Sequence, residues 1–229
     1  MKRIILAAIL SWISTPAAGR QAPPDTLKIR QVKSAAIQVD GMPLEKAWQP
    51  GGSISLTPPW TKNNAGIAHY TAVTDGNYLY FLFEVADTSI NLYTSDNEND
   101  VARGDRVELF FSGEKTLDRY YCLEISPAGA ILDYRARYYR VFDNAWQLKE
   151  LQVAGHITGR GYVVEGRIPL ESLWTMTGGK TSTLYAGVFC ADYYGTEEKE
   201  VVWHSWVDPH IPKPDFHIPA AFGVFLLEQ

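Results

Sequence analysis

The sequence has little cysteine, little methionine and no concentrated positive charge. Its 229 residues include two cysteines, three methionines and five histidines, and no run of consecutive lysine or arginine residues is longer than two. Cys122 and Cys190 lie far apart in the chain and the histidines show no ligand spacing, which excludes the common zinc and redox motifs. With a formal net charge of −5, the chain is not expected to bind nucleic acid, because tracking a phosphate backbone requires clustered lysine and arginine.

Long apolar runs are also missing, apart from one short run at the start of the chain. Lys2 and Arg3 precede the apolar residues 4–13, and small residues follow. This pattern is typical of a secretory signal peptide, predicted here over residues 1–19, and the run is too short to span a bilayer. We therefore expect an exported protein, periplasmic or extracellular, with no stable membrane insertion after cleavage. An uncleaved anchor is the alternative.

The composition that is present favours a single β-rich domain. Hydrophobic residues make up 46% of the chain and aromatic residues 13%, with 13 tyrosines and seven tryptophans. Aromatic side chains at this level suit pleated sheets better than helices. We predict an all-β, antiparallel β-sandwich of about nine or ten strands over residues 36–229, with one or two short helical turns. Residues 20–35 are expected to form a lead-in segment.

Strand signals recur along the chain with turn residues between them. Residues 69–74 and 78–85 are separated by Asp75-Gly76-Asn77, which predicts a β-hairpin, because an Asp-Gly pair readily adopts positive φ. Apolar side chains at 79, 81, 83 and 85 alternate with a second face, as in a strand. Further strands are predicted at 106–111, 120–126, 131–139, 153–158, 162–168, 184–191, 201–206 and 222–227.

Five short motifs occur in a characteristic order. They are Val39-Asp40-Gly41-x-x-x-Glu45-x-x-Trp48, Leu79-Tyr80-Phe81, Gly104-Asp105-x-Val107-Glu108-Leu109-Phe110-Phe111, Tyr162-Val163-Val164-Glu165-x-x-Ile168-Pro169 and Ala221-Phe222-Gly223. In this order the chain closely resembles the family 9 carbohydrate-binding modules and their relatives with the DOMON-type, jelly-roll sandwich, over residues 36–228. The segment from Trp203 to Pro219 is most similar to family 9-like proteins exported by Bacteroidetes.

The resemblance implies carbohydrate binding, but it transfers the binding site incompletely. In sugar-binding members two tryptophans sandwich a sugar; their positions correspond to Ala102 and Phe216 here. The glutamate of the Asp-x-Val-Glu motif is kept as Glu108, whereas an arginine on the following strand corresponds to Glu124. The resemblance therefore implies either binding through another aromatic residue, such as Trp60, or loss of that ligand.

Sugar rings stack on aromatic planes, and their hydroxyl groups bind carboxylates and guanidinium groups. Trp60 follows two prolines in a polar loop, and Glu108, Glu124 and Arg135 have the parity of strand residues that face away from the core. The candidate ligand-binding residues are Trp60, Glu108, Glu124, Arg135, Trp203, Trp206 and Phe216. Burial of the aromatic rings in the core, and mutual neutralisation of the charges, are the alternatives.

Acidic residues crowd one loop and offer the hard oxygen ligands that Ca²⁺ prefers. The candidate metal ligands are Asp87, Asp96, Asp100 and Asp105. The loop is not an EF-hand, because Val101 and Val107 occupy the glycine and glutamate positions of that motif. The resemblance implies a structural calcium ion; a solvated acidic loop is the alternative.

The function predicted from these features is recognition of a polysaccharide or oligosaccharide by an exported, non-catalytic protein that supports carbohydrate catabolism near polysaccharide-degrading enzymes. One alternative is an endoxylanase-like glycoside hydrolase with paired carboxylates roughly 5–10 Å apart. Another is a DOMON-type electron-transfer domain that holds haem through Met42 and Met176. Loss of the sugar site in favour of protein binding is a third. Cys122 and Cys190 form a disulfide in an oxidising compartment or remain free thiols; the sequence leaves both open.

Overall fold

A computed structural model describes residues 25–33, 36–49, 51–61, 67–93, 97–194 and 200–228. The predicted signal peptide and Asp96 lie outside these ranges. The strands are β1 (Thr26–Gln31), β2 (Gly52–Leu56), β3 (Ala68–Thr74), β4 (Tyr78–Val85), β5 (Arg106–Ser112), β6 (Tyr120–Ile125), β7 (Ile131–Arg137), β8 (Val141–Asp143), β9 (Gln152–Thr158), β10 (Gly161–Pro169), β11 (Thr183–Tyr194), β12 (Glu200–Ser205) and β13 (Gly223–Leu227). One α-helix, α1 (Leu170–Thr177), and short 3₁₀ helices at Lys46–Trp48, Glu98–Arg103 and Pro219–Ala221 complete the described elements.

The strands form one curled sheet. Their order is β8-β7-β6-β5-β11-β13-β1-β3-β4-β10-β9, with β12 paired to β11 and β2 paired to β3. β1 joins the two halves and runs parallel to both of its neighbours, β13 and β3. The expectation of a purely antiparallel sheet is therefore wrong at β1. Its neighbours are distant in sequence, so no hairpin turn forces an antiparallel direction there.

The main core lies between the two halves of the sheet. Leu79, Phe81, Phe83 and Val85 of β4 all face it, as the alternation of apolar residues predicted. Side chains from the other half meet them, including Val107, Leu109, Leu123 and Val188. The predicted hairpin between β3 and β4 is also confirmed: Gly76 has φ +86 in its turn.

The structure differs from the expected lead-in segment over residues 20–35. Residues 26–31 form β1, a full member of the sheet, with Leu27 and Ile29 buried in the main core. Only these two side chains alternate into the core, and the strand begins next to the leader region, so its pattern is weak. β2 and β8 are likewise absent from the prediction, because each is short and offers few alternating apolar residues.

A second apolar cluster covers the opposite face of the half-sheet that contains β5, β6 and β11. We call it the outer cluster; its rings include Phe110, Tyr120, Phe189, Phe216 and Phe222. The chain segment that follows β12 returns over this face and supplies Phe216 and Phe222. The candidate site is built at the margin of this cluster. No helix within the described ranges has both the length and the apolar character needed to cross a bilayer.

The two cysteines lie on opposite faces of the same half-sheet. Cys122 of β6 is paired in register with Phe110, whereas Cys190 of β11 is paired with Val107. Cys122 therefore belongs to the outer cluster and Cys190 to the main core, and both thiols are free and fully buried. The structure thus favours the free-thiol alternative.

Candidate functional site

A cavity of about 150 Å³ opens at the margin of the outer cluster. We call it the carboxylate pocket. Its lining residues are Arg106, Glu108, Glu124, Arg140, Trp203, Pro214, Asp215, Phe216 and His217. Four of the candidate ligand-binding residues, Glu108, Glu124, Trp203 and Phe216, are brought together here from β5, β6, β12 and the segment after β12. Sites for drug-sized ligands have volumes of roughly 300–1,000 Å³, so this smaller pocket suits a ligand group smaller than a drug-sized molecule.

The floor of the pocket is a buried group of three charges. Glu108 and Glu124 are directly opposite each other on β5 and β6. Arg106 Nε lies 2.9 Å from Glu108 Oε1 and 2.7 Å from Glu124 Oε2, and all three side chains are no more than 7% exposed. One N–H cannot point at both oxygens, and neither oxygen receives a hydrogen bond within the described part of the chain. The two ion pairs hold the group together, and both oxygens have capacity to accept a further donor.

Two other polar atoms of this group, Glu124 Oε1 and Arg106 Nη1, have hydrogen-bond partners. The Tyr134 hydroxyl donates to Glu124 Oε1 at 2.8 Å. Arg106 Nη1 donates to the carbonyl oxygens of Ala102 and Gly104 at 3.1 and 3.3 Å. The guanidinium group also lies 5.4 Å from the ring centroid of Trp203. The Ala102 carbonyl thus helps to position the Arg106 guanidinium group.

Burial changes the ionisation of Glu108. Desolvation and the neighbouring Glu124 charge raise the pKa of Glu108 to about 8, although the Arg106 charge opposes the rise. Glu108 is therefore largely protonated at neutral pH, since two carboxylates beside one guanidinium group do not both ionise readily. A protonated carboxyl group donates one hydrogen bond and accepts others, which broadens what the pocket can recognise.

The rim of the pocket carries a second, more accessible ion pair. Arg140 Nη2 donates to Asp215 Oδ1 at 2.8 Å, and the Tyr139 hydroxyl donates to Asp215 Oδ2 at 2.6 Å. Burial opposes ionisation of Asp215, but hydrogen bonds from Tyr139 and the His217 amide, with the Arg140 charge, lower its pKa below the ordinary value. Sequence reasoning missed these three residues; the only available signal was Tyr139 next to Arg140 in a turn.

His217 forms one wall of the pocket. Its Nδ1 is 3.0 Å from the Tyr120 hydroxyl, and its ring centroid lies 5.2 Å from that of Phe142. Burial, with the positive charges of Arg140 and Arg106, lowers the pKa of His217 to about 4. The imidazole is therefore neutral at pH 7.

The candidate aromatic residues differ in how much ring they offer. Phe216 is 5% exposed and stacks on Phe189 with centroids 4.0 Å apart. Trp60 is half-buried, donates its indole N–H to the Ile211 carbonyl at 2.9 Å, and packs on Phe216. Trp203 is also half-buried but lines the pocket. Of these rings, Trp203 is the best placed to meet a ligand.

Trp206 and Arg135 lie away from the pocket. Trp206 packs against the main core, 5.7 Å from the Phe225 ring. Arg135 is paired in register with Tyr121, a main-core residue, whereas Glu124 is paired with Leu132. The expectation that Arg135 shares a face with the glutamates is therefore wrong, because a one-residue difference in register reverses the face of a strand side chain.

Three aspartates lie close together on the side of β5 opposite to the carboxylate pocket. Oxygen atoms of Asp87, Asp105 and Asp192 all lie within 4.8 Å of one another. Asp105 Oδ1 and Oδ2 accept the Tyr193 and Asn91 amides, at 2.6 and 2.5 Å, whereas buried Asp87 Oδ2 has no hydrogen-bond donor among the described residues. Such an oxygen set fits Ca²⁺. Desolvation, with the nearby carboxylate charges, raises the pKa of Asp105 to about 7 and that of Asp192 to about 6.

Two of the four metal ligands expected from the sequence, Asp87 and Asp105, belong to this aspartate cluster. Asp100 does not: it pairs with Arg103 in a 3₁₀ helix, at 3.1 Å. Asp96 lies outside the described residues. Asp192 was not predicted, because β11 brings it beside Asp105 from a distant part of the sequence.

The chain has a matching family model and similar solved structures. Residues 39–229 match the model described as carbohydrate family 9 binding domain-like. A candidate carbohydrate-binding protein from Bacteroides uniformis is 18% identical and has a TM-score of 0.71, covering 90% of this chain and 100% of that one.

A family 9 carbohydrate-binding module from Caldicellulosiruptor kristjanssonii, solved with cellotriose, is 16% identical with a TM-score of 0.59, covering 89% of this chain and 94% of the module. A family 9 carbohydrate-binding module from the same organism, solved with glucose, is 17% identical with a TM-score of 0.53, covering 89% of this chain and 96% of the module. No curated protein sequence matches the chain.

Proposed function

Because the chain belongs to the carbohydrate family 9 binding domain-like family, we propose that it binds a carbohydrate in the carboxylate pocket. The observation that carries this proposal is the pair of buried oxygens, Glu108 Oε1 and Glu124 Oε2, that face Arg106 without a hydrogen bond within the described ranges. Sugar hydroxyl groups are donors of the right kind for such oxygens, and the cavity beside them admits a small unit.

We propose a role for each wall of the pocket. Hydroxyl groups of the sugar donate to Glu124 and Asp215 and accept from Arg140, while protonated Glu108 donates or accepts. The Trp203 ring, half-buried at the pocket edge, packs against the C–H face of the sugar. Phe216 supports the pocket from below through its stack on Phe189 rather than by open stacking.

A binding measurement tests the proposal directly. A glycan array probed with the purified protein should identify a ligand, and isothermal titration calorimetry with glucose, cellotriose or that ligand should show saturable binding. Glu124→Gln should weaken this binding at least tenfold. Glu84→Gln is the matched control, because Glu84 is an exposed glutamate on β4 in the other half of the sheet. No binding to any glycan, or equal loss in both variants, would overturn the proposal.

Hydrolysis is a second candidate function, favoured by one observation. Glu108 and Glu124 face each other, and the raised pKa of Glu108 resembles that of a general acid paired with a carboxylate. A glycosidase would lose turnover in Glu108→Gln while keeping affinity for the oligosaccharide. Absence of any reducing-sugar release by the unmodified protein would remove this candidate.

The setting of the binding protein is part of the proposal. The basic and apolar start of the chain supports export, and the family supports a β-sandwich arrangement of the two halves of the sheet. We expect Ca²⁺ at the aspartate cluster in a structural role, because the positive ion would offset the charges of the three clustered carboxylates. A polysaccharide-degrading enzyme is the expected partner.

A further inference from the structure

A second cavity, of about 290 Å³, lies at the β7–β8 hairpin. We propose that it is an anion subsite that binds the carboxylate or sulfate group of an acidic polysaccharide while a neutral unit of the same chain occupies the carboxylate pocket. This inference rests on the proposed function and narrows its ligand to a class: a polysaccharide that carries uronic acid or sulfate groups on a neutral backbone.

The cavity is lined by an excess of positive charge. Arg119, Arg135 and Arg137 line it, and Asp143 is the one acidic residue in its lining. Arg135 pairs with Asp143 at 2.5 Å, with both side chains about 40% exposed. Two guanidinium charges are therefore left over in a chain whose formal net charge is −5.

Arg119 and Arg137 are available to a ligand. Both are exposed, and within the described residues neither side chain has a carboxylate at ion-pair distance. Glu114 and Asp118 line an adjoining cavity with Arg119 but form no ion pair with it in the same described ranges. A guanidinium group binds carboxylate or sulfate through two parallel hydrogen bonds, which makes arginine the natural partner for such groups.

The new cavity adjoins the carboxylate pocket through a contact between one lining residue of each. Phe142 lines the cavity, and its ring contacts His217, a wall of the carboxylate pocket, at 5.2 Å. Phe142 is 45% exposed, and neighbouring Val141 and Tyr138 are 50% and 52% exposed. Exposed rings beside arginines offer both stacking and charge to successive sugar units. The Phe142–His217 contact therefore makes the two cavities neighbours.

Charge divides the ligand between the two cavities. The carboxylate pocket sets three acidic side chains against Arg106 and Arg140, so it offers no excess of positive charge to an anionic unit. The cavity at the hairpin has the opposite balance and attracts one. A polysaccharide with neutral and acidic units matches both, whereas a wholly neutral or wholly acidic chain matches only one of them.

Titration calorimetry with matched oligosaccharides tests the inference. The probes are a neutral xylo-oligosaccharide, the same backbone bearing a glucuronic acid branch, and a sulfated form of that backbone. We expect one or both acidic forms to bind at least tenfold more tightly than the neutral form, with a preference that weakens as salt is raised. The two acidic arms identify which anionic group the cavity takes.

The double variant Arg119→Gln/Arg137→Gln should bind both acidic forms no more tightly than the neutral one, with neutral binding unchanged. The control Arg30→Gln/Arg160→Gln removes the same charge from exposed arginines outside both cavities and should keep the preference. Circular dichroism melts check that both double variants fold.

The outcomes separate the two proposals. Equal affinity for all forms, or equal loss of preference in both double variants, overturns the anion subsite while the carboxylate pocket stands. Arginine-dependent binding of the acidic forms that Glu124→Gln leaves unchanged keeps the subsite and overturns the carboxylate pocket. No binding of any form overturns both.

Discussion

Glu108 and Glu124 sit directly opposite each other on β5 and β6, and both carboxylates approach the same nitrogen atom of Arg106. Like charges opposite each other on a sheet destabilise it unless a cation or a proton intervenes. Here both intervene: Arg106 lies between the two oxygens, and the pKa of Glu108 rises to about 8. Arg106 and the raised pKa of Glu108 therefore relieve the repulsion between the two carboxyl groups.

This arrangement predicts a dependence of stability on pH. The folded pKa of Glu108, about 8, exceeds its ordinary value of 4.5, so the folded state binds the proton more tightly than the unfolded state does. The stability from Glu108 is fully present below about pH 4.5 and is lost as pH rises through 8. Urea melts from pH 6.5 to 9 should show this fall, whereas Glu108→Gln should flatten it by about 1 kcal/mol per pH unit.

The pH range is chosen to avoid an opposing effect. Burial lowers the pKa of His204 and that of His217 to about 4. Their stabilisation is present above about pH 6.5 and is lost as pH falls through 4, so it opposes the Glu108 effect only in the acid range. Asp105, whose pKa is raised to about 7, contributes the same pH dependence of stability to the unmodified protein and to Glu108→Gln. Identical slopes in the two proteins would contradict the assignment to Glu108.

The two tryptophans of the Trp203-x-x-Trp206 segment should respond differently to alanine substitution. Trp203 lines the carboxylate pocket, so Trp203→Ala should weaken oligosaccharide binding about tenfold, or about 1.4 kcal/mol. Trp206 packs on Phe225 in the main core, so Trp206→Ala should lower stability by about 3 kcal/mol and spare affinity in the folded fraction. Calorimetry and chemical denaturation of both variants decide; a reversed pattern refutes the placement of the two rings.

Calcium should stabilise the protein through the aspartate cluster. Three carboxylates held close together repel each other, and a bound cation removes that repulsion. Saturating Ca²⁺ at a hundred times its dissociation constant should add about 2.7 kcal/mol to the free energy of unfolding. Asp192→Asn should remove most of this gain, whereas Asp100→Asn, outside the cluster, should keep it. Thermal melts with Ca²⁺ and with EDTA measure the difference, and equal gains in both variants would place the ion elsewhere.

The thiols of Cys122 and Cys190 should be unreactive in the folded protein. Both are fully buried and lie on opposite faces of the sheet, and desolvation raises the pKa of each thiol. A thiol reagent should therefore label neither residue under native conditions and both in denaturant, with identical labelling after reduction. Two thiols that appear only after reduction would show a disulfide.

The fold was largely predictable from local patterns. β3 to β7 and β9 to β13 coincide with alternating apolar runs, and Gly76 marks the hairpin turn, because side chains alternate across a strand whatever its neighbours are. β1 escaped prediction since only Leu27 and Ile29 mark it. Its place between β13 and β3 depends on pairing with strands far away in sequence, which no local pattern encodes.

For the candidate site, the sequence by itself determined that Glu108 faces away from the main core and that the chain carries the motifs of its family. Only the tertiary structure decided which rings stay accessible: the returning segment stacks its own Phe216 on Phe189 and leaves Trp203 at the pocket. The tertiary structure also places Arg135 on the face of the sheet opposite to the glutamates and places Asp192 beside Asp105. The physical reason is that period-two alternation assigns a side chain to one of two faces, while register and loop packing decide what meets it there.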